Sequence, residues 1–330
     1  MKYEKGISVI IPAHNCARTL KRAINSINYH NKDKLEIIIV ENGSTDDTLT
    51  TAEELCTSSN NIIVTSSKKG VSNARNRGLE VASKDKIVFL DADDYFEDGA
   101  FNTLLNQQSG DLAIYSYKTG ENIQRLFTAV KCYSGNELTL LIGRMLTYPT
   151  TFLTVWGKVF DAQVIRENRL KFRADLRLSE DSFFLIQYLY YCKSVFGYND
   201  CIYNYSRNEN STVRNYNVNA VDEYLTSLQA VHDFVFKQFF VVKDYYYKYG
   251  LMQLNLIGVH GIFDRCNSQS FGNKVKRLKR VLNTSLIRES LTQVRIFQLR
   301  SPKFLAIILL KCHLTSLAGV VFMLRNRISF

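Results

Sequence analysis

The chain holds little that breaks or staples a fold. Three prolines and 16 glycines among 330 residues exclude a collagen-like or low-complexity protein. The seven cysteines, at 16, 56, 132, 192, 201, 266 and 312, form an odd set without a CxxC pair. Neither a disulfide framework nor a zinc cluster is implied, and a reduced cytosolic setting fits. The histidines at 14, 30, 232, 260 and 313 show no ligand spacing, which argues against histidine-bound zinc. The patterns GxxxxGK[ST] and GxGxxG are absent, which argues against P-loop and Rossmann dinucleotide sites. Before Pro12 the start offers only the run ISVII, too short for a signal-peptide core.

Acids are almost missing from one end. Residues 1–273 hold 30 Lys+Arg and 30 Asp+Glu; residues 274–330 hold 12 Lys+Arg and one acid, Glu289. The formal net charge of +11 therefore belongs to the last 57 residues. A uniformly basic nucleic-acid-binding domain is disfavoured. A neutral body with a basic tail fits an anionic surface: lipid headgroups, nucleic acid or an acidic partner. At 46% hydrophobic and 22% charged the chain is globular. Its length suits one large domain or two modest ones, at roughly 150 residues each.

Strand and helix signals alternate through the first 120 residues. Ile7–Ile11, Glu36–Glu41, Ile62–Thr65, Ile87–Asp91 and Leu112–Ser116 are short, β-branched-rich runs that read as buried strands. Helix-like stretches at about Ala17–Tyr29, Asp46–Cys56 and Asn73–Ala82 lie between them. Ser44-Thr45-Asp46-Asp47 supplies capping hydroxyls and first-turn acids. Such alternation predicts an α/β fold with a mostly parallel sheet covered on both faces, binding ligand at the carboxyl ends of its strands. Residues 120–215 are mixed, with helical patterns at Glu137–Leu146 and Glu180–Cys192 and the single tryptophan, Trp156. Beyond about 216 strand signals nearly vanish. Val218–Phe240, Tyr245–Asn267, Lys274–Leu299 and Pro302–Arg325 read as helices, with no internal repeat. The expected division is 1–215 and 216–330.

Phe304–Leu324 is mostly apolar and of membrane-spanning length. Lys311 and His313 sit near its middle, and a central Lys costs roughly 2.5–3.5 kcal/mol on insertion scales. Three readings stay open: an interfacial helix, a core or oligomer helix, and a span.

Chemistry belongs at the strand ends. Pro12-Ala13-His14-Asn15, Glu41-Asn42-Gly43-Ser44 and Asp91-Ala92-Asp93-Asp94 would put polar groups on one rim. Strands often simply end in turn residues, but three such ends together weaken that account. Carboxylates two apart at a strand end can reach a divalent cation and the phosphates it binds; hard oxygen suits Mg²⁺ or Mn²⁺. In Gly70–Gly78 (GVSNARNRG) a helix start offers amides to an anion, with Arg75 and Arg77 on its first turns. A capped helix with solvated arginines is the plainer account. Ser179-Glu180-Asp181 opens an aromatic helix, where acids either complement the helix dipole or serve as a general base. Tyr203–Arg214 reads as a polar, basic loop or an exposed linker.

In order, VIIPAHN (9–15), VENGSTDDT (40–48), GVSNARNRG (70–78), FLDADD (89–94), Trp156-Gly157-Lys158, SED (179–181) and YSRNENSTVR (205–214) resemble a family 2 glycosyltransferase with a GT-A fold, of the bacterial capsule or lipopolysaccharide type. The motifs cover roughly residues 5–215; the helical remainder carries none. The resemblance implies a nucleotide-sugar donor, usually UDP-linked, a divalent metal (Mn²⁺ or Mg²⁺) and inversion at the anomeric carbon. It implies that Pro12, Ala13 and Asn15 line the nucleotide pocket, that Glu41 contacts base or ribose, and that Asn73 and Arg75 approach the nucleotide. Asp91, with Ala92, would meet the ribose or a metal-bound water, and Asp93 the metal. Asp181 would be the base, or Glu180 if the helix is rotated by one residue. Arg207 and Ser211 would approach the diphosphate. Two departures stand out: His14 occupies the usual aromatic position, and Glu41 replaces the commoner Asp.

The resemblance further implies a glycan or lipid-linked acceptor in cell-surface polysaccharide synthesis. Residues 274–330 would meet an anionic membrane surface, at the cytoplasmic face, or a second copy of the chain; nucleic acid is not expected. Two other readings compete. One is a haloacid-dehalogenase-type phosphohydrolase using Asp91 and Asp93, although that fold places such a strand first and follows it with Thr or Val rather than Asp94-Tyr95. The other is a non-enzymatic basic binding protein, which leaves the strand-end carboxylates unexplained.

Overall fold

The N-terminal apolar runs are continuous rather than alternating, and strands covered on both faces need that pattern. The computed structural model, which describes residues 4–28, 32–206 and 216–328, shows them as β1 (Glu4–Ala13), β2 (Leu35–Glu41), β3 (Ile62–Ser66) and β4 (Lys84–Phe89). They pair in parallel in the order β3-β2-β1-β4. Between them run α1 (Ala17–Asn25), α2 (Thr48–Thr57) and α3 (Val71–Val81). Ile7, Val9 and Ile11 of β1 pack in one core with Leu20, Ala23 and Ile24 of α1. Ile10 turns the other way and meets Gly78 of α3. A Cβ there would lie 2.3 Å from Ile10 Cγ2, so glycine sets how closely α3 approaches the sheet.

The sheet continues through β5 (Tyr95–Phe96), α4 (Ala100–Asn106), β6 (Leu112–Thr119), β7 (Asn122–Gln124) and β8 (Lys131–Ser134). After α5 (Gly135–Thr147) and α6 (Pro149–Phe152) come β9 (Lys158–Asp161), α7 (Ala162–Glu167), α8 (Glu180–Tyr191) and β10 (Ser194–Tyr205). The full order is β3-β2-β1-β4-β9-β6-β10-β5, with β7 on β6 and β8 on β10. β9 runs antiparallel between β4 and β6, while β6 and β10 are parallel. The expected mostly parallel α/β sheet is present, with β9 as its antiparallel insertion. Tyr203–Tyr205, expected in a loop, is the end of β10.

The chain forms two compact units: Met1–Leu138, Thr154–Asp175 and Phe184–Asn208 make the first, and Thr139–Leu153, Leu176–Phe183 and Glu209–Phe330 the second. The second contains α9 (Ala220–Lys237), α10 (Lys243–Leu256), α11 (Phe271–Leu282), α12 (Ser285–Gln293), α13 (Leu305–Lys311) and α14 (Thr315–Ile328). Three expected long helices are broken. The one expected over Tyr245–Asn267 passes from α10 into a π-helical turn at Ile257–Ile262 and stops. The one over Lys274–Leu299 breaks at Thr284, which leaves helical geometry (ψ 143°) with its hydroxyl on Val281 O. Phe304–Leu324 breaks at His313 (φ +61°). There the amides of His313 and Leu314 cap the carbonyls of Leu310 and Leu309. This cap usually calls for glycine, so a histidine hides it from a sequence reading. Among the described residues no helix is long and apolar enough to cross a membrane, and Phe304–Leu324 is two short helices rather than the single one expected.

Candidate functional site

The parallel register builds the rim. Ile10 pairs with Phe89 and Leu90 N donates to Ile10 O, which brings Pro12–Asn15 level with Asp91–Asp94. Ala13 pairs with Glu41 on the other side. Asn15, in the left-handed region (φ +49°), accepts from Thr45 N at 2.8 Å, and its own amide donates to Ser44 Oγ at 3.1 Å. Glu41 Oε1 accepts from Gly43 N at 2.8 Å and from Ser44 N. Burial acts to raise the Glu41 carboxyl, but the Ser44 and Gly43 donors outweigh it and hold the group below its usual range. The first two motifs thus share one network. Pro12 is half-buried, Ala13 buried and His14 exposed.

The third motif enters from α3. Gly70, at φ +121°, turns the chain into the helix. Arg75 is only 3% exposed, its Nη2 lies 3.1 Å from Asp91 Oδ1, and its guanidinium covers the Phe172 ring at 5.3 Å. Asn76 fixes that ring by exchanging two 2.8 Å hydrogen bonds with the Phe172 backbone. Asn73 turns its amide back to Lys69 O, and Arg77 reaches Thr65 and Glu80.

The acidic turn is held from β10 and α1. Asp94 is buried; its carboxylate accepts from Tyr203 OH and Ser206 N, both at 2.7 Å. Burial and the neighbouring Asp91 push Asp94 up to about 8, against the Tyr203 donor. Tyr203 also receives Asp91 N and stacks on Trp156, with ring centres 4.9 Å apart. Arg22 donates to Asp93 O at 2.5 Å and Ser206 Oγ at 3.0 Å. Asp93 itself is half-buried and Ala92 buried. Lys158 is buried, donating to Thr154 Oγ1 and Trp156 O.

The first unit therefore holds Pro12, Ala13, Asn15, Glu41, Asn73, Arg75, Asp91, Ala92 and Asp93 at or just beyond the ends of β1, β2 and β4 and on α3. Glu180 and Asp181 belong to the second unit, half-buried in the first turn of α8. Ser179 before them is left-handed (φ +61°) and its hydroxyl donates to Gln253. Arg207 and Ser211 lie outside the described residues. Sequence reading passed over Arg22, Asn76 and Phe172, and placed Tyr203 in a loop. For Tyr203 a signal existed: an aromatic in an alternating run, Tyr203-Asn204-Tyr205, of strand type.

Asp91 and Asp93 offer hard carboxylate oxygens from one turn. Among the described residues no group of three or more His, Cys, Asp or Glu side chains could hold a metal by itself. One or two carboxylates still fit Mg²⁺ or Mn²⁺, which complete their shells with waters and substrate phosphates.

Residues 8–168 match the family model described as glycosyl transferase family 2. TarP of Staphylococcus aureus (strain N315), a poly(ribitol-phosphate) beta-N-acetylglucosaminyltransferase, is 27% identical over 244 residues, 71% of this chain and 73% of TarP. EpsH of Bacillus subtilis (strain 168) is 26% identical over 220 residues, 64% of this chain. The chain spans 63% of EpsH, less than two thirds of its length. The crystal structure of S. aureus TarS 1-349 in complex with UDP-GlcNAc matches with a TM-score of 0.69 at 18% identity, covering 98% of this chain and 92% of that one. That likeness is one of fold: a GT-A α/β sheet followed by a helical region.

Proposed function

Because this chain belongs to glycosyl transferase family 2 through residues 8–168, we propose that it moves a sugar from a UDP-linked donor to a hydroxyl of a glycan or lipid-linked acceptor, inverting the anomeric carbon. The work belongs to cell-surface polysaccharide synthesis at the cytoplasmic face of a membrane. Residues 1–215 bind donor and catalyse; residues 216–330 form the helical part. The observation that carries this reading is the buried Arg75 held on Asp91 at a strand end, beside Asp93 and the first turn of α3. Fixed charges of both signs there suit a diphosphate with its cation. The TarS complex with UDP-GlcNAc supports the donor class, and TarP supports the reaction class. The phosphohydrolase and non-enzymatic readings find no such support.

In this reading Pro12, Ala13, Asn15, Glu41 and Asn73 surround the nucleoside, with Arg75, Asp91 and Ala92 at its ribose side. Arg207 and Ser211 approach the diphosphate. Asp93, with Asp91, would hold Mn²⁺ or Mg²⁺, which would supply Lewis acidity against charge on the leaving diphosphate. Asp181 takes the acceptor hydroxyl proton, Glu180 being the neighbour that could replace it. The oxygen then attacks the anomeric carbon opposite the leaving nucleotide, and UDP departs with the bonding pair. Such base help contributes about 10²–10⁴-fold.

Thermal shift with UDP-sugars tests the donor class. A UDP-sugar should raise the melting temperature further with Mn²⁺ than without it, because binding stabilises by mass action. Asp93→Ala should lose that increment and turnover. Metal-dependent turnover retained in Asp93→Ala refutes the metal assignment, and no response to any UDP-sugar refutes the donor class.

A further inference from the structure

The second unit ends in α14, whose middle stretch, residues 317–324, is apolar on every side. On α14, Ala318, Phe322 and Asn326 are buried, with Gly319 pressed against Phe263. The opposite side carries Leu317, Val320 and Leu324, spaced i, i+3 and i+7, and exposed to 53%, 43% and 51%. Ser316 and His313 are exposed polar neighbours of this face, and Leu314, 45% exposed, extends it backwards. Phe271, at the start of α11, joins Val320, Met323 and Leu324 in a shallow apolar groove. A helix with apolar residues on every side expects cover on every side.

The charge nearby says what covers it. Helix α11 buries Val275, Leu278 and Val281 and exposes Lys276, Lys279 and Arg280. The segment from 274 onward has 12 cations and a single acid, Glu289, which is engaged by the Tyr247 hydroxyl at 3.0 Å. A second copy of the chain would bring the same cations to the same place, and like charges would oppose the contact. An anionic bilayer offers both things this surface lacks, apolar depth for the leucines and phosphates for the lysines. The broken geometry at His313 keeps α13 and α14 short, so the face lies along a surface rather than through it.

We propose that Leu314, Leu317, Val320 and Leu324, with Phe271, form a docking face that inserts into an anionic lipid surface while Lys276, Lys279 and Arg280 engage its headgroup phosphates. This deepens the membrane part of the proposed function and is independent of the catalytic assignments.

The test is sedimentation of the full chain with vesicles of phosphatidylcholine, with or without phosphatidylglycerol. The wild type should bind the anionic vesicles and release from them as salt rises. The triple variant Leu317→Ser, Val320→Ser, Leu324→Ser should lose at least about tenfold in affinity at an unchanged melting temperature, because only exposed side chains change. The variant Lys276→Glu, Lys279→Glu, Arg280→Glu should lose the preference for anionic lipid. Equal binding to neutral and anionic vesicles overturns the proposal. So does a serine variant that binds as the wild type does, or one that dissolves a dimer while the wild type ignores vesicles. The UDP-induced thermal shift, run alongside, reports on the donor site: its loss with vesicle binding intact refutes the catalytic reading and leaves this one standing.

Discussion

Asp94 sits in a turn of three aspartates with two donors on its carboxylate and almost no solvent. Its pKa rises to about 8 from burial first and from Asp91 next. A raised carboxyl favours the fold while it is protonated. That contribution is complete below the unfolded value near 4 and is lost as pH climbs through about 8. In chelator, Asp94→Asn should therefore gain melting temperature relative to the wild type across that window, and a constant difference would sink the argument. Asp181 invites a different test. Asp181→Asn should cut transfer by about 10² or more while UDP binding persists. Lost UDP binding together with a lower melting temperature would instead mark Asp181 as a helix-start residue. The acids of this site were legible because they end an apolar run, a local pattern. Arg22 was not, since its partners Asp93 and Ser206 lie 71 and 184 positions away. Nothing around Arg22 in the chain sets it apart from an ordinary solvated arginine.

Helices and strands tell the same story one level up. β1, β2, β4 and β6 were readable because burial on both faces demands unbroken apolar runs, and β3, at the sheet edge with Ile63 exposed, because its run is β-branched. β9 was not, because two apolar residues between Lys158 and Asp161 leave no pattern to detect. The helix breaks were hidden for a different reason: their geometry is carried by residues that do not advertise it, His313 above all. Glycine 78 works in the opposite direction, a small residue in a helix whose purpose shows only when α3 meets β1. Gly78→Ala should destabilise by about 1–3 kcal/mol, as overpacked cores do, measured by urea denaturation. An unchanged midpoint would mean that Ile10 moves aside at no cost.

Across the whole molecule, charge is divided between tasks. The body is balanced, and three of its acids, Asp91, Asp93 and Asp94, sit in one turn where a cation is expected. The surplus of +11 lies in helices with an apolar outer face. A composition total could not reveal this, whereas the position of each charge along the chain did.

The strand order also sets a timetable. β3, β2, β1 and β4 all come from residues 4–89, each joined to a parallel neighbour through short local connections. That half of the sheet can assemble on the nascent chain before β9 and β10 have been made. Until Lys158–Asp161 arrives, β4 is an open edge, the kind of surface on which unfinished chains stick to one another. β4 begins Lys84-Asp85-Lys86, alternating charges that make that edge a poor template for a second chain. Replacing Lys86 with an apolar residue would leave the finished sheet its hydrogen bonds, with Asp85 still accepting from Gly6 N, and remove part of the protection it has while it waits.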